Sequence, residues 1–259
     1  MIDLNQAVVL VTGGARGIGY AIAELALRCG GRVAICDLGT KEVMAAASRL
    51  GPNVLGIAAD VASEAAGEAA VAKVVERFGE INVLVNNAGV FEDIRGTLKQ
   101  DLATWRRIVD INLQGTYLMA RAAARAMTRD NPANAIVNFA SINGLTGFRA
   151  SNAYGVSKAA VAMLTKTLAT DLAPRGIRVT AVAPGFIHTP MTRAIFDDGA
   201  IDRDIFLQRI PLGRFGEPAE VARAVVFLAS TWSSYIVGAV LPIDGGWCAF
   251  GGPGSVAGS

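Results

Sequence analysis

Tyr154 and Lys158 stand four residues apart near the start of a stretch with strong helical periodicity, Ala153–Ala173. That spacing places a phenol and an ammonium on one helix face. Ser141 lies thirteen residues before Tyr154, just past the apolar run Ala135–Phe139, and offers a hydroxyl. Asn112, in Asp110-Ile111-Asn112-Leu113, offers an amide within the helical stretch Leu102–Arg129. Taken singly, each is ordinary: a Tyr/Lys pair at this spacing more often decorates a helix surface than reacts.

A second set would bind rather than react. Thr12-Gly13-Gly14-Ala15-Arg16-Gly17-Ile18-Gly19 joins an apolar run to a helical one, with glycines spaced G-x-x-x-G-x-G. Gly13 permits a tight turn, Gly17 lets backbone approach a pyrophosphate, and Gly19 lets helix and strand pack closely. Phosphates would rest on the N–H groups at the helix N-terminus, with Arg16 and Ile18 in the same turn. Asp37 follows the second apolar run, about 20 residues on, with Leu38 beside it. Its carboxylate would accept hydrogen bonds from adenosine ribose hydroxyls and repel a 2′-phosphate; the alternative is a solvated helix cap. Arg16 pulls the other way, as a cation able to contact that phosphate. Asp37 would stand directly at the 2′ position, so NAD is expected over NADP. Asp60 and Val61 follow the third run, where an acid would meet the adenine amino group. Asn86-Asn87-Ala88-Gly89 follows the fourth, small enough for a nucleoside to lie along it. Each of these two is also ordinary turn chemistry.

The elements that must position these groups alternate regularly. Strand character is clearest at Ala7–Val11, Arg32–Cys36, Val54–Ala58, Asn82–Val85, Ala135–Phe139, Arg178–Val182 and Ala239–Ile243. Between them lie helical patterns at Gly17–Cys29, Lys41–Leu50, Glu64–Phe78, Leu102–Arg129, Ala153–Ala173 and Pro218–Ala229. The alternation predicts an α/β doubly wound Rossmann fold, a seven-stranded parallel sheet with helices on both faces. The binding groups then fall at the carboxyl ends of strands, where open sheets take ligands. One domain over 1–259 is expected, since the length suits a single large core. A substrate lid is expected at about 186–213, where the rhythm breaks, and a flexible Gly/Ser-rich tail at about 251–259.

In order and spacing, Thr12–Gly19, Asn86–Gly89, Asn112, Ser141, Tyr154 and Lys158 resemble the short-chain dehydrogenase/reductase family, in its compact branch of about 250 residues. Pro184-Gly185 followed by Thr189, and Asp244-Gly245-Gly246, match too, so the resemblance spans roughly residues 5–247. It implies that Tyr154 is the general acid/base. A free phenol has a pKa near 10, and Lys158 with the positive ring of NAD⁺ would lower it. Ser141 would hold the substrate oxygen, and Asn112 would fix a water linking Lys158 to solvent. The backbone around Ile187 and the Thr189 hydroxyl, reached through Pro184 and Gly185, would hold the nicotinamide carboxamide. Tyr154 and Lys158 thus count toward cofactor binding as well, beside Asn87, Ala88 and Gly89. The implied activity is NAD-dependent interconversion of a secondary alcohol, of polyol or sugar type, and its ketone or lactone. The alternative is an NADPH-linked reductase of a ketone or 3-oxoacyl thioester; a non-catalytic dinucleotide sensor ranks behind both because all four reactive residues are present. The resemblance also suggests a homotetramer built on the long helices and the last strand.

Composition narrows the remaining classes. A net charge of +2 with scattered Lys and Arg gives no nucleic-acid footprint or polybasic membrane patch. No basic-then-apolar leader opens the chain, and no apolar run approaches the roughly 18 residues of a membrane span; a cytoplasmic protein with a small-molecule substrate is expected. Cys29, Cys36 and Cys248 are too few and too badly spaced for zinc or a disulfide framework, so no metal is expected and buried thiols are. His188 is the single histidine, and no serine sits in a G-x-S-x-G elbow, which argues against a hydrolase triad. Trp105, Trp232 and Trp247 read as packing elements. Phe148 and Arg149 are candidates for the pocket wall, Arg149 as an anchor for an anion; Asp93 and Arg95 are weighed in the same way, against solvated surface.

Overall fold

Along β1 (Val8–Thr12) successive side chains serve two different cores: Val9 and Val11 enter one, Val8 and Leu10 the other. The same alternation divides β2 (Arg32–Asp37), with Val33 and Ile35 on one face and Ala34 and Cys36 on the opposite one. A strand buried on both faces needs apolar residues at every position, which explains the unbroken Val/Ile/Leu runs. In this computed structural model, which describes residues 2–91, 95–196 and 202–251, the remaining strands are β3 (Leu55–Ala58), β4 (Val83–Asn86), β5 (Ala135–Phe139), β6 (Arg178–Pro184) and β7 (Val240–Ile243). All are parallel, in the order β3-β2-β1-β4-β5-β6-β7. The order reverses direction between β1 and β4, which opens a crevice at their carboxyl ends.

On one face lie α1 (Gly17–Arg28), α2 (Thr40–Leu50) and α9 (Pro218–Ala229). The other face carries α3 (Glu64–Phe78), α5 (Gly115–Ala126) and α6 (Asn152–Leu172). Sequence signals fix the ends of these helices. Ser63 accepts from the Ala66 N–H at 3.3 Å to cap α3, worth about 1 kcal/mol, and Gly79 closes it in the left-handed conformation. At the end of α9, the buried Arg178 guanidinium donates to the carbonyls of Leu228, Ala229, Ser230 and Ser233. Burial lowers its pKa, and the positive charge suits a helix C-terminus.

Several boundaries differ from expectation. The single helix expected over Leu102–Arg129 is instead α4 (Leu102–Val109), a π-helical segment Asp110–Gln114, and α5, which ends at Ala126. One extra residue in the turn displaces the backbone ladder, a feature common at functional sites, and periodicity alone does not resolve it. Within 186–213, Pro190–Phe196 forms α7 and Arg203–Leu207 forms α8; residues 197–201 lie outside the described residues. So does nearly all of the expected tail, 252–259, and so does Asp93.

No described helix is long and apolar enough to cross a membrane. The three thiols are free, with Cys36 buried and Cys29 and Cys248 only half-buried. Trp232 is exposed rather than packed, whereas Trp247 is buried and Trp105 donates to Asn152.

Candidate functional site

The glycine turn sits in the crevice between β1 and β4, and its glycines are required by space as well as by angle. Gly13 has φ +63°, and a Cβ there would stand 2.8 Å from Asn87 Nδ2. Gly17 has φ +57°, with its open side toward Thr189 and Pro190. Gly19 would put a Cβ 2.2 Å from the Gly13 carbonyl, so the contact it permits is with the turn itself rather than with a strand. Gly14, not singled out from the sequence, lets the turn press on Ile35, 2.7 Å from its ideal Cβ. Arg16 is the exposed N-cap residue of α1, which has no side-chain cap and no acid in its first turn. Its leading N–H groups are therefore available to an anion.

Asp37, at the end of β2, reaches this turn. One carboxylate oxygen accepts from the Ala15 N–H at 3.1 Å and the other from the Leu38 N–H at 2.9 Å. Each oxygen keeps a further lone pair for a ribose hydroxyl. Leu38 is 71% exposed beside it. Asp60 is exposed two residues beyond the end of β3 and accepts from the Ala62 N–H at 2.9 Å; Val61 is buried against Gly115. Asn87 acts as a brace: its Nδ2 donates to the carbonyls of Thr12 and Gly13 at 2.9 and 3.0 Å. Thr12 Oγ1 accepts from the Ala88 N–H at 3.0 Å, closing the same seam. Gly89 runs past the reactive groups, its ideal Cβ 3.1 Å from Asn112 Oδ1 and 3.4 Å from Lys158 Nζ.

Tyr154, Lys158 and Ser141 come together in the structure. The Ser141 hydroxyl hydrogen-bonds the Tyr154 phenol and also accepts from the Asn143 N–H at 3.2 Å. Lys158 is buried, its Nζ donating to the Phe139 carbonyl at 2.8 Å and lying 5.6 Å from the centroid of the Tyr154 ring. Burial lowers the Lys158 pKa to about 8. It also raises the Tyr154 phenol above its ordinary value, with the Ser141 bond acting in the opposite direction. The expected lowering of the phenol is thus not produced by the protein's own atoms, because desolvation dominates.

Asn112 is fully buried in the π segment, and its amide is occupied. Oδ1 accepts from the Val90 N–H at 2.8 Å, while Nδ2 donates to the Val90 carbonyl at 3.0 Å and to Ser157 Oγ at 3.1 Å. Both amide N–H groups are thus committed, while Oδ1 and the main-chain carbonyl, which accepts from Thr116 Oγ1 at 2.7 Å, each keep one lone pair.

Beyond β6, Gly185 passes so close to Asp244 that a Cβ would lie 2.9 Å from its Cα. The Phe186 carbonyl and the His188 N–H both bond to Gly216, in a parallel bridge centred on the buried Ile187. The N–H and C=O of Ile187 itself consequently point away from Gly216. Thr189 Oγ1 accepts from the Thr192 N–H at 3.1 Å, capping α7. His188 is exposed, with Nε2 3.8 Å from Glu217; Arg149 is exposed too. Among the described residues no group of three or more His, Cys, Asp or Glu is arranged to hold a metal.

Of the apolar surroundings, the sequence pointed only to Phe148, as a candidate for the pocket wall, and to Trp247, as a packing element. The Phe91 ring meets the Tyr154 ring edge-on at 4.8 Å. Ile142, next to Ser141, belongs to a cluster with Phe148, Phe186, Phe206, Phe215 and Trp247. Gly144 was missed as well: a Cβ there would lie 2.6 Å from the α6 backbone at Lys158 and Ala159. These rings come from stretches far apart in the chain, and no local pattern joins them.

A family model described as enoyl-(acyl carrier protein) reductase matches residues 13–248. An uncharacterised short-chain type dehydrogenase/reductase of Sinorhizobium fredii is 43% identical over 95% of the chain, which spans only 44% of that relative's length. Cis-4-hydroxycyclohexanecarboxylate dehydrogenase of Sinomonas cyclohexanicum is 40% identical, over 94% of the chain and 97% of the relative. A 3-oxoacyl-[acyl-carrier-protein] reductase of Vibrio harveyi is 39% identical, over 95% and 98%. The crystal structure of a short-chain type dehydrogenase/reductase from Mycobacterium marinum superimposes with a TM-score of 0.87 at 33% identity, over 95% of this chain and 97% of that one.

Proposed function

Because the chain belongs to the short-chain dehydrogenase/reductase family, oxidoreductases of alcohols and ketones that bind nicotinamide dinucleotides, we propose that it is an NAD-dependent dehydrogenase of a secondary alcohol. The observation that carries this reading is the contact of the Ser141 hydroxyl with the Tyr154 phenol above a buried Lys158. The cofactor, when bound, exchanges a hydride with the substrate carbon. Tyr154 Oη takes the hydroxyl proton during oxidation and returns it during reduction, while Ser141 Oγ holds the substrate oxygen in line. Lys158, its pKa lowered by burial, lies 5.6 Å from the centre of the Tyr154 ring, where a positive charge would act against the desolvation that raises the phenol.

The turn fits a dinucleotide. Gly13 and Gly17 keep backbone where side chains would intrude, and the first turn of α1 is uncapped. Asp37, held by Ala15 and Leu38, supports NAD over NADP, with Asp60 and Val61 farther along the crevice. The outward N–H and C=O of Ile187, with Thr189 facing Gly17, suit the carboxamide. Phe91 and the rings around Ile142 favour a substrate whose hydroxyl sits on an apolar ring or chain. Each further hydroxyl of a polyol or sugar would need its own polar partner. The same reading takes one catalytic domain, with 186–213 as the substrate lid.

A second reading, an NADPH-linked reductase of a ketone or 3-oxoacyl thioester, draws on the exposed Arg16 and the similarity to the acyl-carrier-protein reductase. For the assembly we propose a homotetramer, supported by apolar side chains left exposed on the expected faces: Val156 and Met163 of α6, and Trp232, Tyr235 and Leu241 at and beside the edge strand β7. The absorbance rate at 340 nm with NAD⁺ and NADP⁺, against cyclic and open-chain secondary alcohols and polyols, tests the reading. Turnover with NAD⁺ and ring alcohols is expected; turnover with NADP⁺ alone would transfer the assignment to the reductase.

A further inference from the structure

One buried hydroxyl beside the reactive residues has no part in the chemistry above. Ser157 is fully buried in α6, immediately before Lys158. Its Oγ donates to the Tyr154 carbonyl at 2.7 Å and accepts from Asn112 Nδ2 at 3.1 Å. A serine inside a helix commonly returns its proton to a carbonyl one turn back and ends there. Ser157 also receives a bond from another element. Asn112 in turn brackets both backbone groups of Val90, so an unbroken chain of hydrogen bonds runs from Val90, past the end of β4, through Asn112 and Ser157 to the residue that bears the phenol. Phe91, adjoining Val90, presses on the Tyr154 ring from the same side.

We propose that Ser157 is a positioning residue for proton transfer, transmitting the Asn112 clamp to Tyr154 and so keeping the phenol in register with Ser141. The proposal rests on the reading of Tyr154 as proton carrier. Both donors of the Asn112 amide are committed, one to Val90 and one to Ser157. Without the hydroxyl, a fully buried N–H loses its acceptor, and the amide gains reason to turn away from Val90. The start of α6 then loses its tie to β4, although Lys158 stays anchored on Phe139. The consequence is a phenol free to drift from Ser141 while the cofactor turn, on the far side of β4, stays intact.

Two measurements on Ser157→Ala, with Ser157→Cys as a near-isosteric second variant, test this. The first needs no substrate: amide hydrogen exchange of the full chain, compared with the parent. Faster exchange confined to peptides covering 88–91 and 152–158 is expected; unchanged exchange, or acceleration throughout the chain, would overturn the proposal. The second uses NAD⁺ and cyclohexanol. A kcat lower by roughly tenfold or more, with KM and NAD⁺ affinity within about twofold, and an alkaline shift of the rising pH limb are expected. The loss should largely vanish in an Asn112→Ala background, since coupled residues are non-additive. A kcat near the parent's, or losses that multiply, would count against it, and failure of both variants to fold would make Ser157 a packing residue only. Absence of turnover in the parent itself would speak to the proposed activity and leave the exchange result to decide this one.

Discussion

The side-chain amide of Asn87 donates to the Gly13 carbonyl across 3.0 Å, joining the end of β4 to the glycine turn after β1. The two strands are neighbours in the sheet, and their carboxyl ends flank the point where strand order reverses. Asn87 therefore shapes the glycine turn from beneath, with its Nδ2 donating to the carbonyls of both Thr12 and Gly13.

That relationship makes Gly19→Ala the most damaging single methyl in the turn. The added carbon would lie 2.2 Å from the Gly13 carbonyl and 2.6 Å from Asn87 Nδ2. Neither neighbour can yield without breaking the seam between β1 and β4. Overpacking of this kind costs about 1–3 kcal/mol or more, and the turn would open as it relaxed. Gly51→Ala is a useful contrast, because there is open space around its Cβ and only its φ of +137° resists. Urea unfolding and NADH fluorescence titration should show loss of stability together with loss of NADH binding for Gly19→Ala, and a stability loss alone for Gly51→Ala.

Asp37→Ala is expected to lower the preference for NAD⁺ over NADP⁺ by roughly 10–100-fold in kcat/KM. The carboxylate is oriented by the N–H groups of Ala15 and Leu38, so it presents charge at a fixed place. Removing it lifts the repulsion toward a 2′-phosphate and leaves Arg16 as the nearby cation in the turn. Steady-state rates with both cofactors decide the matter; an unchanged ratio would remove Asp37 from the ribose site.

How much of this was legible in sequence follows from which interactions are local. The strands and most helix limits were, because two-sided burial writes itself as continuous apolar runs and one-sided burial as helical periodicity. Tyr154 and Lys158 share a helix face by spacing alone. What stayed hidden depends on contacts between distant segments. Gly14 against Ile35, Gly144 against α6, and Phe91 against Tyr154 leave no periodic trace. The π segment at Asn112 is a one-residue accommodation inside a helix, indistinguishable from its surroundings by composition. The sign of the Tyr154 shift was hidden for another reason: the sequence names the neighbouring groups but not the depth of burial, which raises the phenol against the Ser141 hydrogen bond.

Lys158 should make stability depend on pH in a defined window. Its pKa falls from 10.5 in the unfolded chain to about 8 when buried. Between those values the unfolded chain holds more protons at this site, so the lysine's contribution rises with pH and is lost as pH drops toward 8. The full span is roughly 3 kcal/mol as an upper bound. Lys158→Met lacks that slope. Urea unfolding at about pH 7.5 and about pH 10 should find the variant more stable than the parent at the lower pH, with the gap narrowing at the higher, and with turnover lost at both.

Tyr154→Phe is expected to cut turnover by roughly 10²–10⁴-fold while NADH binding stays within about twofold. The ring's packing against Phe91 is retained, and only the hydroxyl bonded to Ser141 is removed. A near-normal kcat would displace Tyr154 as the proton carrier.

A buried polar relay ties the sheet to α6 farther along the helix, and its energetics predict a non-additive pair. Asn86 Nδ2 donates to the Thr116 carbonyl and, at 3.0 Å, to Asn138 Oδ1; Asn138 Nδ2 donates to Thr165 Oγ1 at 3.0 Å. Asn138 and Thr165 are fully buried, so an unpaired group here has no water to turn to. Thr165→Val leaves the Asn138 amide short of an acceptor and should cost about 1–3 kcal/mol. Adding Asn138→Leu removes that orphaned donor but takes the Oδ1 acceptor from Asn86, which keeps only the Thr116 carbonyl, so the double variant should lose less than the sum of the two single variants. Denaturant unfolding of the two single variants and the double variant checks this. Strictly additive losses would mean that the relay contributes packing alone, and that the register of α6 on the sheet is set by its apolar contacts.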